Sequence, residues 1–181
     1  MTTPLTPAAQ DAAFRPAQTE PIRWDDLLAG LARAGQPADV VGSTADRPGP
    51  TGIAMDSRMV RPGDLYAGVP GASRHGAEFA GTVIAAGARG ILTDREGARL
   101  CAASSAGIPV LIVEDVRDAV GPAAAAVYRN IGAGPRLYGI TGTNGKTTTN
   151  YFLTALLGAL GETTGMIGTI EIRAGRRVVP S

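Results

Sequence analysis

The sequence predicts an α/β fold in two parts, and three observations carry that prediction. Short runs rich in Val, Ile and Leu alternate with stretches whose apolar residues recur at helical spacing. A break carrying neither signal falls at Gly132-Ala133-Gly134-Pro135. Beyond it a strand-like segment, a glycine-rich turn and a helical pattern follow one another. The expected arrangement is a small amino-terminal α/β domain over 22–133, then the first part of a second, phosphate-binding α/β domain over 134–181.

Residues 1–21 are rich in Pro, Thr, Ala and Gln and read as a disordered tail. Trp24, Leu27, Leu28 and Leu31 fall at i, i+3, i+4 and i+7, one face of a helix that Gly35 stops. Gly42 to Gly52 is polar and turn-forming. Thr51–Asp56 and Asp64–Val69 read as strands on either side of an Arg61-Pro62-Gly63 turn. Ala77–Ala86 is predicted helical, with Phe79, Val83 and Ile84 on one side. Gly90–Thr93 and Val110–Val113 suit buried strands. Asp115–Asn130 reads as a helix with Asp115 or Asp118 near its start and alanines that permit close packing.

In the second part, Leu137–Ile140 predicts a short buried strand and Thr148–Leu160 a helix. Thr164–Ile172 and Arg177–Val179 predict a hairpin about Ala174-Gly175. These elements are too few to cover a nucleotide-binding sheet, so the chain is expected to stop inside its second domain.

The bulk composition excludes several classes. With 44% hydrophobic and 18% charged residues the chain is globular. A net charge of +1 gives no nucleic-acid footprint. The single cysteine, Cys101, makes neither an internal disulfide nor a cysteine metal cluster, and reads as a small apolar filler. No apolar stretch has the length of a signal peptide core or a membrane span, so a soluble cytoplasmic protein is expected.

The chemistry is most legible in Gly139-Ile140-Thr141-Gly142-Thr143-Asn144-Gly145-Lys146-Thr147-Thr148. Strand, glycine-rich turn, Gly-Lys-Thr and helix together form the context of a phosphate site. Glycines let backbone N–H groups approach phosphate oxygens, and the helix N-terminus adds unpaired donors and partial positive charge. Lys146 should reach the terminal phosphates, and the Thr147 hydroxyl is placed to ligate Mg²⁺. The common pattern G-x-x-x-x-G-K-[ST] needs glycine at 140, where this chain has Ile140; its glycines fall at 139, 142 and 145. The bland alternative is a glycine-rich turn with an exposed lysine.

Two segments resemble the Mur ligase family, most closely its MurE type. One is Gly139 to Thr149, whose Gly-Thr-Asn-Gly-Lys-Thr-Thr run and three-residue glycine beat are typical of that superfamily. The other is Asp56-Ser57-Arg58 with Arg61-Pro62-Gly63-Asp64-Leu65-Tyr66, Gly71 and His75-Gly76-Ala77-Glu78-Phe79, similar to the amino-terminal UDP-binding domain of MurE and MurF enzymes. The resemblance covers residues 22–181 and identifies the chain as an amino-terminal part of a longer ligase. It implies ATP-dependent addition of a third amino acid, meso-diaminopimelate or L-lysine, to UDP-N-acetylmuramoyl-L-alanyl-D-glutamate in peptidoglycan synthesis, by way of an acyl phosphate.

The resemblance also implies roles. ATP and Mg²⁺ would be held by Gly142, Thr143, Asn144, Gly145, Lys146, Thr147 and Thr148, with Lys146 and Thr147 acting on the transferring phosphoryl group and Thr147 on the metal. Asn144 is either an orienting residue or a turn residue in left-handed geometry. Ser57 would contact the UDP moiety. Arg58 fits equally a pyrophosphate contact and a salt bridge to Asp56 or Asp64. Ala72, Ser73 and Arg74 lie in a loop similar to the uracil-proximal loop of the family. His75, the one histidine, reads as a surface or hydrogen-bonded turn residue. The chain alone is expected to lack ligase activity, since the family's remaining catalytic groups do not occur in it. Two other readings compete: a non-catalytic module binding a UDP-muramoyl peptide and ATP, and a MurF-type ligase.

Overall fold

The computed structural model describes residues 20–105, 107–129, 134–175 and 177–180. Of the tail expected at 1–21, only Glu20 and Pro21 are among them. The chain forms two compact units that divide at Gly134–Pro135.

The first unit is a five-stranded sheet with helices on both faces. Its strands are β1 (Asp39–Val41), β2 (Gly52–Ala54), β3 (Asp64–Ala67), β4 (Gly90–Thr93) and β5 (Val110–Ile112). Their order is β1-β5-β4-β3-β2. β2 to β5 run parallel, and β1 adds antiparallel to β5. Every residue of β3 and β4 is buried. Parallel strands reach this state because their crossover helices cover both faces.

The side-chain alternation of a strand sorts the core into two layers. Leu65, Ala67, Leu92 and Leu111 face α1 (Trp24–Arg33) and α4 (Val116–Val127), packing with Trp24, Leu27, Leu31, Ala119, Ala123 and Val127. Tyr66, Ile91 and Val110 face the other way, onto Ala77, Ala80, Val83 and Cys101. Those four come from a 3₁₀ turn (Gly76–Phe79), α2 (Ala80–Ala85) and α3 (Arg95–Cys101). Cys101 is thus the filler expected of it, fully buried, with its thiol pushed up by burial.

Gly90 permits a close approach in the first layer. A Cβ there would lie 2.7 Å from Trp24 Cη2 and 3.2 Å from the Pro109 carbonyl oxygen. The edge strand β2 is blunted by α4: the Ile53 N–H donates to Tyr128 Oη at 3.3 Å.

The structure differs from the sequence reading at definite points. Two elements went unpredicted. β1 is three exposed residues with no alternation to announce it, and it forms because β5 offers a free edge. α3 is seven residues with a glycine inside, stabilised by Asp94 accepting from the Gly97 N–H at 2.7 Å. The segment predicted as one helix over 77–86 is a 3₁₀ turn followed by α2. Between the two candidate caps of α4, Asp115 accepts from the Arg117 and Asp118 N–H groups.

The second unit comprises α5 (Lys146–Ala159) and the antiparallel strands β6 (Gly165–Ile167), β7 (Glu171–Ala174) and β8 (Arg177–Pro180). The β7–β8 turn uses Gly175 at φ 57°, as the hairpin signal required. The stretch predicted as one strand over 164–172 is broken by a turn closed by Gly168 N–H to Glu171 O at 3.1 Å. The buried strand expected at Leu137–Ile140 is absent. The segment has no ladder partner among the described residues, and Leu137 is 89% exposed. An apolar run becomes a strand only where another strand takes its N–H and C=O groups.

Gly90→Ala is expected to destabilise the first unit by about 1–3 kcal/mol through overpacking against Trp24. Gly121→Ala, inside α4 with nothing within 4 Å of the added Cβ, is the control and should be neutral or stabilising. Urea denaturation of both variants checks this.

Candidate functional site

The carboxyl ends of the four parallel strands converge on one edge of the first unit, the place where open α/β sheets put ligands. A cap follows each strand. After β2, Asp56 accepts from the Arg58 N–H at 2.9 Å. After β3, the His75 ring accepts from the Ala77 N–H at 3.0 Å. After β4 the cap is Asp94, and after β5 it is Asp115.

The first pair of predicted site residues lies on the β2 turn. Ser57 opens the 3₁₀ turn Ser57–Met59 and is half-buried. Arg58 forks onto Asp56, with Nη2–Oδ2 at 2.6 Å and Nε–Oδ1 at 2.9 Å. Of the partners considered from sequence, Asp56 is therefore the one engaged, while the Asp64 carboxylate accepts from the Arg61 N–H at 2.7 Å. The fork uses Nε and Nη2. The hydrogen bonds from Arg58 hold the Asp56 carboxyl below the usual carboxylate range against a smaller desolvation, and Asp56 in turn raises the guanidinium. Burial, helped by the Asp56 charge, pushes the Tyr66 phenol up.

The second pair lies on the loop after β3. Ser73 and Arg74 are exposed at the tip of a tight turn closed by Gly71 N–H to Arg74 O at 3.1 Å. Arg74 stacks 5.3 Å above the Phe79 ring and pairs with Glu78 at 2.9 Å, which holds the Glu78 carboxyl down. Adjacent parallel strands thus deliver Ser57, Arg58, Ser73 and Arg74 to the same sheet edge.

Three residues that shape this loop were not singled out as site residues from sequence. His75 is the joint: its Nδ1 takes the Ala77 N–H, its Nε2 meets Asp94 at 3.2 Å, and its own N–H donates to Glu78 at 3.0 Å. Asp94 is the second. Arg117, from the first turn of α4, is the third and donates to the Pro70 carbonyl at 2.6 Å. The Glu three residues after His75 is a capping-box spacing and was the available signal. The Arg117 contact spans 47 residues and left none.

The glycine-rich loop of the second unit has the backbone its sequence asks for. Gly142 and Gly145 sit at φ 147° and 79°, and Gly145 is the left-handed N-cap of α5. Asn144 does not adopt left-handed geometry, so that explanation for it falls. No side chain caps α5, which leaves the N–H groups of its first turn for a ligand. Lys146 folds back over the loop, Nζ lying 2.5 Å from the Gly142 carbonyl and 3.3 Å from that of Thr143. A Cβ on Gly139 or Gly145 would meet nothing within 4 Å, so packing does not require these glycines. Open donors, a lysine at the loop and a half-buried Thr147 hydroxyl fit a nucleotide phosphate with one protein ligand to Mg²⁺. Among the described residues no His/Cys/Asp/Glu cluster would hold a metal by itself, and no helix is long and apolar enough to cross a membrane.

The Asp56 shift has a definite sign. A carboxyl held below its ordinary value stabilises the fold above that value, and the contribution is lost as pH falls through the lowered one. Carboxyl-carbon NMR should find Asp56 titrating below about 3.9 in the native chain and moving back toward that value in Arg58→Ala.

A family model described as Mur ligase family, catalytic domain, matches residues 50–128. The matched segment lies inside the first unit and ends before the glycine-rich loop. Over 131 residues the chain is 48% identical to the UDP-N-acetylmuramoyl-L-alanyl-D-glutamate--2,6-diaminopimelate ligase of Streptomyces avermitilis, covering 72% of this chain and 25% of that protein. It is 40% identical over 158 residues to the enzyme of the same name from Corynebacterium glutamicum, covering 87% and 30%. Among solved structures, MurF from Acinetobacter baumannii aligns with TM-score 0.58 at 25% identity, over 80% of this chain and 29% of that one. The chain thus spans about a quarter to a third of the length of these proteins.

Proposed function

This chain belongs to the Mur ligase family, and on that premise we propose that it carries the nucleotide-sugar unit and the phosphate loop of a MurE-type ligase. The reaction is ATP-dependent addition of the third amino acid to UDP-N-acetylmuramoyl-L-alanyl-D-glutamate. The names of the relatives favour 2,6-diaminopimelate over L-lysine. The observation that carries the reading is the pairing, in one chain, of the uncapped Gly145–Lys146 helix start with the Ser57-Arg58 strand end.

Bound ATP with Mg²⁺ supplies the phosphoryl group that gives the substrate carboxylate a leaving group. The chain's own residues position and neutralise. Lys146 exchanges its two loop carbonyls for phosphate oxygens. The N–H groups of Gly145 to Thr148 donate to the same phosphates, and Gly142 and Thr143 complete the cradle. Thr147 Oγ1 holds the cation, and Asn144 orients the loop. At the strand-end edge, Ser57 donates to the UDP moiety, and Arg58 offers Nη1 to the pyrophosphate while Asp56 keeps the fork in place. Ser73 and Arg74 face the uracil end.

MurF is the second reading, to which the 25% identity with the solved Acinetobacter baumannii MurF lends support. Residues 1–181 alone are proposed to bind without ligating. The test is calorimetry of this chain with ATP–Mg²⁺, and separately with the UDP-muramoyl dipeptide and tripeptide. Lys146→Ala should weaken ATP about tenfold or more and leave the UDP ligand unaffected. Preference for the tripeptide would replace MurE by MurF, and an unchanged ATP affinity would remove Lys146 from the phosphate site. Ligation measured on the native gene product should require the chosen amino acid.

A further inference from the structure

Four parallel strands end in four caps, and three of the caps are carboxylates. Asp56, Asp94 and Asp115 each accept backbone N–H groups two or three residues on. The fourth, after β3, is an imidazole. A carboxylate does this at any pH near neutrality, whereas an imidazole accepts only through an unprotonated nitrogen. Histidine is also the side chain that titrates in this range.

From this contrast we propose that His75 is a proton-responsive positioning residue for the loop Gly71–Arg74, so that nucleotide binding at this edge is held by its neutral form. The proposal rests on the reading of Ser73 and Arg74 as nucleotide-proximal.

The geometry assigns the tautomer. Nδ1 accepts from the Ala77 N–H at 3.0 Å, so the ring proton is on Nε2, which donates to Asp94 at 3.2 Å. The side chain is 11% exposed and has little room to turn. The ring lies against α3, since a Cβ on Gly97 would fall 2.6 Å from His75 Cε1.

Charged and titratable neighbours surround it from each element. Asp94 comes from the head of α3, Glu78 from the 3₁₀ turn, Arg74 from the loop and Tyr66 from β3, whose Oη donates to the Gly76 carbonyl at 3.0 Å. Arg117 of α4 reaches the Pro70 carbonyl at the loop's other end, and α2 presents no charged side chain. Two of these contacts differ in what they ask of the ring. Asp94 accepts from Nε2–H in either charge state, while the Ala77 N–H needs an unprotonated Nδ1.

Protonation at Nδ1 keeps the Asp94 contact and sets two N–H groups head to head at the cap. The 3₁₀ turn then loses its side-chain cap, at the residue that forms one half of the Pro70–His75 bridge closing the loop. Ser73 and Arg74 sit inside that bridge.

His75 is the one histidine of the chain, so its ring signals need no separation from others. The experiment is a pH 8 to pH 5 titration of the ¹⁵N-labelled chain, reading ring nitrogens and the amides of 71–77, with UDP affinity measured at both ends. The Nε2–H tautomer is expected at pH 8. The amides of 71–74 and 77 should move with the ring, and UDP should bind about fivefold to tenfold more weakly at pH 5, the worth of one cap. His75→Asn keeps a cap acceptor that does not titrate, and should bind UDP with a shallower pH profile, keeping only the part that comes from the terminal phosphate of UDP, whose own ionisation lies at about 6.

An Nδ1–H tautomer, loop amides that ignore the ring, or the same pH profile in His75→Asn would each overturn the proposal. No UDP binding at either pH, with amides that still follow the ring, would support the positioning role and overturn the nucleotide reading instead.

Discussion

The first unit depends on one constraint: a parallel sheet must be covered on both faces. β3 and β4 have no exposed residue, so their alternation sends Leu65, Ala67 and Leu92 to one layer and Tyr66 and Ile91 to the other. Each layer must then supply complementary apolar surface within one short crossover. Alanines at 119, 123 and 126 let α4 sit close beside α1, and Gly90 lets the Trp24 ring lie on a strand. A larger side chain at either place would lift a helix from the sheet and expose several strand residues at once.

The same constraint creates the site. With both faces occupied, polar groups that must meet solvent or ligand are confined to the strand ends. There the chain turns out of a strand and into a helical turn four times, and each time orphan N–H groups need an acceptor. The side chains that answer this need also hold the site residues still: Asp56 fixes Arg58, and His75 with Asp94 fixes the loop bearing Ser73 and Arg74. Capping and the placement of the candidate site residues are one set of hydrogen bonds.

In the second unit such covering is missing among the described residues, and the effect is visible in its apolar side chains. α5 forms over Lys146 to Ala159 behind a glycine N-cap, although four threonines, Asn150, Tyr151, Phe152 and Gly158 are weak helix formers. Yet Phe152, Leu156 and Leu160 remain exposed, as do Leu137 and Ile167. Local geometry survives this. Gly142 and Gly145 take positive φ, and Lys146 closes over the loop from nearby backbone alone.

What the sequence determined by itself is whatever depends on neighbours along the chain. Helix α1 followed from four apolar residues at helical spacing, the β7–β8 hairpin from Ala174-Gly175, and the left-handed turn at the start of α5 from the glycines of its loop. Only tertiary structure decided the rest. β1 exists because β5 has an edge to fill, and the apolar run at 137–140 pairs with no strand among the described residues. Arg58 chose between two carboxylates by where the β2 turn puts its fork. His75 read as an ordinary turn residue until Asp94, nineteen residues on, came within 3.2 Å of its ring. Local propensity acts over a few residues, whereas pairing, burial and the second partner of a side chain require segments far apart in sequence to be brought together.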